Sequence, residues 1–295
     1  MSDSTEAKKS AQEIESYWTP ERRAKAKGMS NRPAIEHTED AREPDGPQKT
    51  SPGFDPEASD SKARHRDRAS SALVFTPATR VADPTAYPWR TVGKLYFTAG
   101  GEDFTGSASV IYTNTLITAA HNLWSGGVWS SDILFVPAFT DGVEPFGSWT
   151  WQRASVMPGW QRNENEAYDV GTIEMRTGGH DRRSIGAVVG YLGYTVNRTL
   201  PREWTDVGYP RNYQDKRFMY KQPGMYTRSL DRGSIVGKEG DMAGGASGGP
   251  WLMPPGDLDL VNGIHSFRNE SRYPNEVFSP YFNTAIGDFI AAHRR

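Results

Sequence analysis

The chain has 295 residues, 36% of them hydrophobic, and its 34 Lys and Arg against 36 Asp and Glu give a formal net charge of −2. This balance argues against a nucleic-acid-binding protein, because such proteins need a basic excess to neutralise phosphates. The chain contains no cysteine, which excludes disulfide bonds, a thiolate zinc site and a cysteine nucleophile.

No apolar stretch approaches the length of a membrane span or of a signal-peptide core. We therefore expect no membrane partner and no Sec export signal. The compartment stays open between the cytoplasm and export by a route that the sequence does not reveal.

Residues 1–75 mix both charge signs, contain scattered prolines and hold few large apolar side chains. Such a segment buries too little surface to offset its chain entropy, which predicts a charged, mostly irregular and disordered N-terminal extension. The stretch "ESYWTPERRAKA" suggests a propeptide or docking arm instead, anchored by Tyr17 and Trp18, with Pro20 opening a short helix. We therefore expect an extension over 1–75 and a folded domain over 76–295.

From residue 76 onward, short runs of β-branched and aromatic residues alternate with clusters of Gly, Pro, Asn and Asp. This spacing predicts an all-β sandwich or barrel. The runs are, in chain order, "GKLYFTA", "TGSASVIY", "TLITAA", "DILFVPAF", "DVGTIEM", "GAVVGYLGY", "GSIVGK", "GPWLM" and "LVNGIHSF".

His121 stands in "TLITAAHNLW", where a β-branched strand runs into two alanines and then the histidine. A lone histidine is often a core residue whose nitrogens are satisfied by backbone groups. Here the two small alanine side chains leave room for the imidazole to lie against the backbone, which favours a catalytic role over a purely structural one.

Asp169 lies in "NEAYDVGTIEM", directly before an alternating strand that contains Val170, Ile173 and Met175. Most aspartates are solvated, but one that leads into a hydrophobic strand is more often buried. A buried carboxylate needs hydrogen-bond donors, and an imidazole can supply one.

Ser247 lies in the glycine-rich stretch "DMAGGASGGPW". The loop matches the G-x-S-x-G elbow of α/β-hydrolases, but too little chain follows it to complete that fold. A Walker-type phosphate loop ends in Gly-Lys-Ser/Thr, which is absent here. The remaining interpretation is that Ser247 is a nucleophile in a different fold. A serine nucleophile needs a base, usually a histidine.

Elimination leaves His121 and His265 as candidate bases for Ser247. The other four histidines fall in the extension, in an exposed loop or among terminal basic residues: His37, His65, His180 and His293.

One helix is predicted, at the C-terminus. In "FNTAIGDFIAAHRR" the apolar side chains Phe282, Ile286, Phe289 and Ile290 fall on one face. Asn283 or Thr284 is suited to cap its start, and the basic residues 293–295 suit its C-terminal end.

His121, Asp169 and Ser247, in that order on a β-rich chain, resemble the trypsin/chymotrypsin-like serine endopeptidases. "LITAAH" resembles the histidine motif of that family, "YDVGTIEM" its aspartate motif and "GGASGGP" its serine motif. The finer resemblance is to bacterial trypsin-like and glutamyl-endopeptidase-like members, through "YWTPER", the serine loop and "FSPYF" at residues 278–282.

The resemblance implies two packed six-stranded antiparallel β-barrels, with His121 and Asp169 in the first and Ser247 in the second. Ser247 would attack a peptide carbonyl, His121 would take its proton and Asp169 would orient the ring. The N–H groups of Gly245 and Ser247 would form the oxyanion hole. A protein or peptide is then the expected substrate, with no cofactor and no metal.

Two departures from the family pattern stand beside the catalytic motifs. Ala246 replaces the aspartate that many trypsin relatives use to pair with a new N-terminal amine after zymogen cleavage. Asn122 replaces the usual cysteine next to the histidine.

The resemblance gives conflicting signals about the substrate side chain. Asp241, six residues before Ser247, matches the acid that selects Lys or Arg in trypsins, whereas His265 matches the histidine that binds an acidic side chain in glutamyl endopeptidases. Arg268 would bind an acid or block the pocket, and a pair of Asp241 with His265 or with Arg268 would neutralise it.

Three further residues belong to the expected substrate site. Met242 departs from the small polar residue of glutamate-specific enzymes, and Ser266 together with Phe267 would lie along the bound peptide as an added strand. The alternative function is a protease-fold regulatory or binding module, held inactive by its N-terminal extension or by Arg268.

Overall fold

The computed structural model describes residues 3–29, 37–39, 45–58, 76–200, 202–254 and 256–295. Most elements in these ranges are short strands. The α-helices described are α1 (Ala11–Tyr17), α2 (Pro20–Lys25), α3 (Pro158–Asn163), α4 (Ile185–Val189) and α5 (Thr284–Ala292). Single 3₁₀ turns are formed by Trp89–Thr91, Ala120–Asn122, Glu166–Tyr168 and Gln214–Lys216.

The strands follow in chain order. Those up to residue 80 are β1 (Ser4–Glu6), β2 (Lys27–Gly28), β3 (Lys49–Ser51) and β4 (Thr79–Arg80). The next group is β5 (Val92–Ala99), β6 (Glu102–Tyr112), β7 (Thr115–Thr118), β8 (Trp124–Ser125), β9 (Val128–Trp129), β10 (Ser131–Pro137), β11 (Trp149–Val156) and β12 (Gly171–Met175). The last group is β13 (Gly193–Val196), β14 (Glu203–Gly208), β15 (Tyr220–Leu230), β16 (Ile235–Glu239), β17 (Pro250–Leu252), β18 (Leu260–Ile264) and β19 (Glu276–Pro280).

The first sheet closes into a six-stranded antiparallel barrel. Its order is β11-β10-β5-β6-β7-β12, and β12 pairs back onto β11. In β12 every residue is buried except Glu174, which is half-buried, so both faces of this strand are largely covered. Closure leaves no free edge among these six strands.

The second sheet has the order β19-β16-β15-β14-β17-β18-β13. Its pairings are antiparallel except for the parallel contact between β13 and β18. Backbone bonds link the chain that follows β18 to β19: Ser266 N donates to Phe278 O, and Phe278 N donates to Phe267 O, both at 2.9 Å. The all-β prediction is confirmed, with one closed six-stranded barrel and a second sheet.

The C-terminal helix is also confirmed. Asn283 caps α5, and its side-chain oxygen accepts a hydrogen bond from the backbone N–H of Ile286 at 3.0 Å. Ile286, Phe289 and Ile290 are buried, as the apolar face predicts.

Much of the N-terminal extension is more ordered than its composition predicts. α1 begins with a capping box between Ser10 and Glu13, and Pro20 opens α2 as expected. β1 adds to β11 of the barrel, and β3 adds to β13 of the second sheet. Residues 30–36, 40–44 and 59–75 lie outside the described residues, and the boundary at residue 75 stays a prediction.

Trp18 explains the order of the first part of the extension. Its side chain is 2% exposed, its indole N–H donates to the carbonyl of Asp132 at 2.5 Å, and its ring centroid lies 5.4 Å from that of Tyr96. A composition averaged over 75 residues hides one large aromatic side chain that docks on the barrel.

We expect Trp18→Ala to lower the free energy of unfolding of the extension by about 3–5 kcal/mol, since a fully buried indole is lost. Limited proteolysis with mass spectrometry should show faster cutting in residues 3–29. Val128→Ala, at a side chain that is 55% exposed, is the control. Equal cutting of the two variants would contradict the anchoring role of Trp18.

Candidate active site

His121 and Asp169 meet at the ends of two neighbouring strands of the first barrel. His121 sits in the 3₁₀ turn after β7, and Asp169 follows another 3₁₀ turn just before β12. The carboxylate of Asp169 accepts from the backbone N–H of His121 through Oδ1 and contacts ring atom Nδ1 through Oδ2, both at 2.8 Å. This two-point contact fixes the imidazole in one orientation.

A third donor reaches the same carboxylate from the second sheet. The hydroxyl of Ser266 donates to Oδ2 of Asp169 at 2.5 Å. Asp169 is 1% exposed and His121 is 6% exposed. A carboxylate this deeply buried is stabilised as an anion by such donors.

The anionic partner at Nδ1 places the ring proton on that nitrogen and leaves Nε2 as the basic atom. Nε2 is buried and has no hydrogen-bond partner among the described residues. The bond from a hydroxyl to this nitrogen, which proton transfer requires, is therefore not formed in this arrangement.

The loop that carries Ser247 is clamped against the first barrel. The carbonyl of Ser247 accepts from the backbone N–H of Ser107 at 2.8 Å and from the side-chain amide of Asn122 at 3.0 Å. The hydroxyl of Ser107 donates to the carbonyl of Gly245 at 2.8 Å. The loop that carries Ser247 and the turn that carries His121 are thus joined directly through Asn122.

Two glycines of the loop have a positive φ. Gly245 has φ +100° and Gly248 has φ +85°, a backbone region that side chains rarely adopt. The N–H of Gly245 donates to the carbonyl of Met29 at 3.0 Å, and Ser247 Oγ donates to the same oxygen at 3.4 Å. These two groups therefore converge on one carbonyl oxygen.

Asp241 is held by neutral donors. Its carboxylate accepts from the hydroxyl of Tyr213 at 2.7 Å and from the amide of Gln222 at 2.9 Å, and it forms no ion pair with a described residue. Burial and the bond to Asp241 raise the pKa of Tyr213 to about 12, so its hydroxyl keeps its proton at neutral pH.

The expected pairs of Asp241 with His265 or Arg268 are not formed. His265 instead contacts Asp206 of β14, with Nδ1 and Oδ2 2.7 Å apart and both side chains buried. Arg268 binds Glu270 at 2.8 Å and the carbonyl of Pro274 at 2.7 Å. Each of these two side chains therefore has a partner other than Asp241.

Met242 lies in a small apolar cluster rather than among polar groups. It is fully buried, and the same cluster contains Ala78, Phe218, Tyr220 and Ala246. Among the described residues no group of three or more His, Asp or Glu side chains is placed to hold a metal ion. No helix in that part of the chain is long and apolar enough to cross a membrane.

Comparison with solved structures identifies the architecture. The protease Anisep from Arthrobacter nicotinovorans superposes with a TM-score of 0.61 at 28% identity, over 68% of this chain and 93% of that one. A thermostable serine protease AL20 from an extremophilic microorganism gives 0.63 at 23% identity, over 70% and 98%. A Glu endopeptidase in complex with MPD gives 0.60 at 20% identity, over 73% and 95%.

The chain has the trypsin/chymotrypsin-like serine protease fold. No family model and no curated protein sequence matches it. The structural neighbours are bacterial serine proteases, which supports a protease function for the chain.

Sequence reasoning missed several residues that shape this protease-like site. Ser107, Asp206 and Met29 reach it only through contacts across the fold, and nothing local marks them. Asn122 did carry a signal, since it stands beside the histidine where a cysteine is usual. Its amide also donates to Thr118 Oγ1 at 2.9 Å. Asn122 thus links Thr118 to the loop that carries Ser247 through hydrogen bonds, at a position where a cysteine would form a disulfide.

Proposed function

We propose that the chain is a serine endopeptidase in which Ser247 is the nucleophile, His121 the general base and Asp169 the group that orients the base. The observation that carries the proposal is the buried contact between His121 Nδ1 and Asp169 at 2.8 Å, beside a loop whose Gly245 N–H and Ser247 Oγ converge on one carbonyl oxygen. The serine protease neighbours agree with it.

The proposed reaction begins when the Ser247 hydroxyl turns towards His121 Nε2 and gives up its proton as it attacks the substrate carbonyl. The N–H groups of Gly245 and Ser247 stabilise the oxyanion. The imidazolium, held by Asp169, then protonates the leaving amine. Water, activated by the same nitrogen, hydrolyses the acyl-enzyme on Ser247.

The partnerless Nε2 supports this sequence of steps. A buried imidazole nitrogen without a partner costs free energy, which an incoming serine hydroxyl would recover. In this proposal the Ser247 hydroxyl, which contacts the carbonyl of Met29, turns away from Met29 to form the base–nucleophile contact.

The same proposal determines on which side of the cleft each part of the substrate lies. Asp241, Met242, His265, Ser266 and Arg268, the proposed substrate-binding residues, all belong to the second half of the chain. The residues before the scissile bond would therefore lie along Ser266 and Phe267, and those after it would extend over the first barrel.

Charge around these positions favours a basic substrate side chain. Asp241 has no ion pair with a described residue, whereas His265 is engaged by Asp206 and Arg268 by Glu270. We therefore propose that Lys or Arg precedes the scissile bond.

The alternative, a protease-fold regulatory or binding module kept inactive by its extension, rests on the contact of Met29 with Gly245. It differs from the first proposal in expecting no turnover once that contact is released.

A fluorophosphonate should label the chain at Ser247, because only an activated serine reacts. Peptide mapping should locate the label, and Ser247→Ala should abolish it. Ser229→Ala, at a buried serine bonded to Tyr226, should label like the wild type. No label after prolonged incubation, with the extension intact and after trimming by limited proteolysis, would reject the endopeptidase.

Asp169→Asn should lower kcat by roughly 10⁴-fold, since an amide that donates to Nδ1 moves the ring proton to Nε2. Asp206→Asn is the matched control, because it makes the same change at the other buried Asp–His pair. Steady-state kinetics on a peptide substrate compare the two. Equal losses would mean that Asp169 has a structural role only.

Peptide-library profiling should show cleavage after Lys and Arg, and Asp241→Asn should weaken that preference. Cleavage after Glu by the wild type would instead assign the pocket to His265 and contradict the charge argument.

A further inference from the structure

The carbonyl oxygen of Met29 is bound by two groups that the proposed mechanism uses. It accepts from the Gly245 N–H at 3.0 Å and from Ser247 Oγ at 3.4 Å. Met29 itself is anchored by its own N–H, which donates to the carbonyl of Thr105 at 2.8 Å. A peptide group of the N-terminal extension thus lies at one of the two N–H groups proposed for the oxyanion hole, that of Gly245, and against the hydroxyl of Ser247.

The backbone before Met29 fits the cleft closely. Lys27 and Gly28 form β2, which pairs with Phe104 and Thr105 of the first barrel. A Cβ atom at Gly28 would lie 2.7 Å from the carbonyl oxygen of Gly244, closer than real contacts allow. The site therefore accepts glycine at this position and excludes a side chain.

The extension is fastened upstream of the cleft. Tyr17 donates to Asp103 at 2.8 Å, and Arg22 forms an ion pair with the same carboxylate at 2.8 Å. Trp18 is buried against the barrel. These contacts hold α1 and α2 on the first barrel, a few residues before Met29.

The extension is also fastened downstream, on the second half of the chain. The ring of His37 lies 5.3 Å from that of Phe267, and its Nδ1 lies 2.6 Å from Asp231. Glu39 accepts from Tyr273 and from Arg228, both at 2.8 Å. The described parts of the extension therefore lie on both halves of the protease fold, residues 3–29 on the first barrel and residues 37–39 on the second half.

The order of these contacts along the chain is opposite to the order proposed for a substrate. A substrate would place the residues before its scissile bond along Ser266 and Phe267. In the extension, the residues before Met29 lie on the first barrel, parallel to β6, and residues 37–39, which follow it, lie against Phe267. The Met29 carbonyl is bound, but the described residues before and after it lie on the opposite halves of the fold from those that a cleavable substrate would use.

We propose that the cleft is an interaction surface for residues 27–29 of the same chain, which act as a reversed, uncleaved inhibitor with the Met29 carbonyl in the oxyanion hole. This inference rests on the proposed endopeptidase function. It adds which segment occupies the site and why that segment is not cleaved. In the reversed orientation the segment offers a carbonyl oxygen to the Gly245 N–H and the Ser247 hydroxyl, but it does not offer a leaving group to His121.

The test uses four full-length chains: wild type, Gly28→Ala, Trp18→Ala and Gly46→Ala. Gly28→Ala places a methyl group against Gly244 backbone, and Trp18→Ala removes an anchor without adding a clash. Gly46→Ala is the matched control in the same extension, since its Cβ would meet Asn197 and Thr284 at an ordinary 3.5 Å. The readouts are the rate of Ser247 labelling by an alkyl fluorophosphonate and the intact mass of each chain.

We expect Gly28→Ala and Trp18→Ala to label roughly tenfold faster than wild type and Gly46→Ala, since overpacking or loss of the anchor weakens the blocked state. Intact masses should show no cut between residues 29 and 30 in the wild type. Equal labelling rates in all four chains would overturn the inhibitor while leaving the endopeptidase in place. A cut after Met29 would make the segment a substrate and also overturn the inference. No labelling of any chain would reject the endopeptidase and the inference together.

Discussion

The buried carboxylate of Asp169 is the constraint on which the rest of the site depends. It accepts hydrogen bonds from the backbone and ring of His121 and from the hydroxyl of Ser266. Leaving such an anion without donors would be strongly unfavourable. The barrel that carries Asp169 and the sheet that leads to Ser266 must therefore come together, and this contact also determines which nitrogen of His121 is free.

The position of the loop that carries Ser247 also depends on this contact between the first barrel and the second sheet. Asn122, adjacent to His121, donates to the Ser247 carbonyl, and Ser107 of β6 binds both Ser247 and Gly245 through its backbone and its hydroxyl. The positive φ of Gly245 turns an N–H towards the cleft. These hydrogen bonds thus hold the two halves of the molecule together at the site, in a chain that contains no cysteine.

The sequence predicted the features that local patterns encode. Strand alternation, a capped C-terminal helix and three ordered motifs give the all-β protease fold, and the structure places His121 and Asp169 in contact. Pairings over long sequence separation could not be predicted. Asp206 rather than Asp241 faces His265 because β14 and β18 are brought together by β17 between them. Likewise, the order in the extension comes from tertiary contacts of Trp18 and Met29, which override a composition typical of disorder.

The proposed chemistry requires that Asp169 hold His121 as the tautomer with its proton on Nδ1, so that Nε2 can act as a base. Selective ¹⁵N labelling of the six histidines, with long-range ¹H–¹⁵N NMR at neutral pH, reports the tautomer of each ring. The account predicts a protonated Nδ1 and an unprotonated Nε2 at His121. A His121 ring with its proton on Nε2 would contradict it, because Nε2 would then have no lone pair to accept the proton of Ser247.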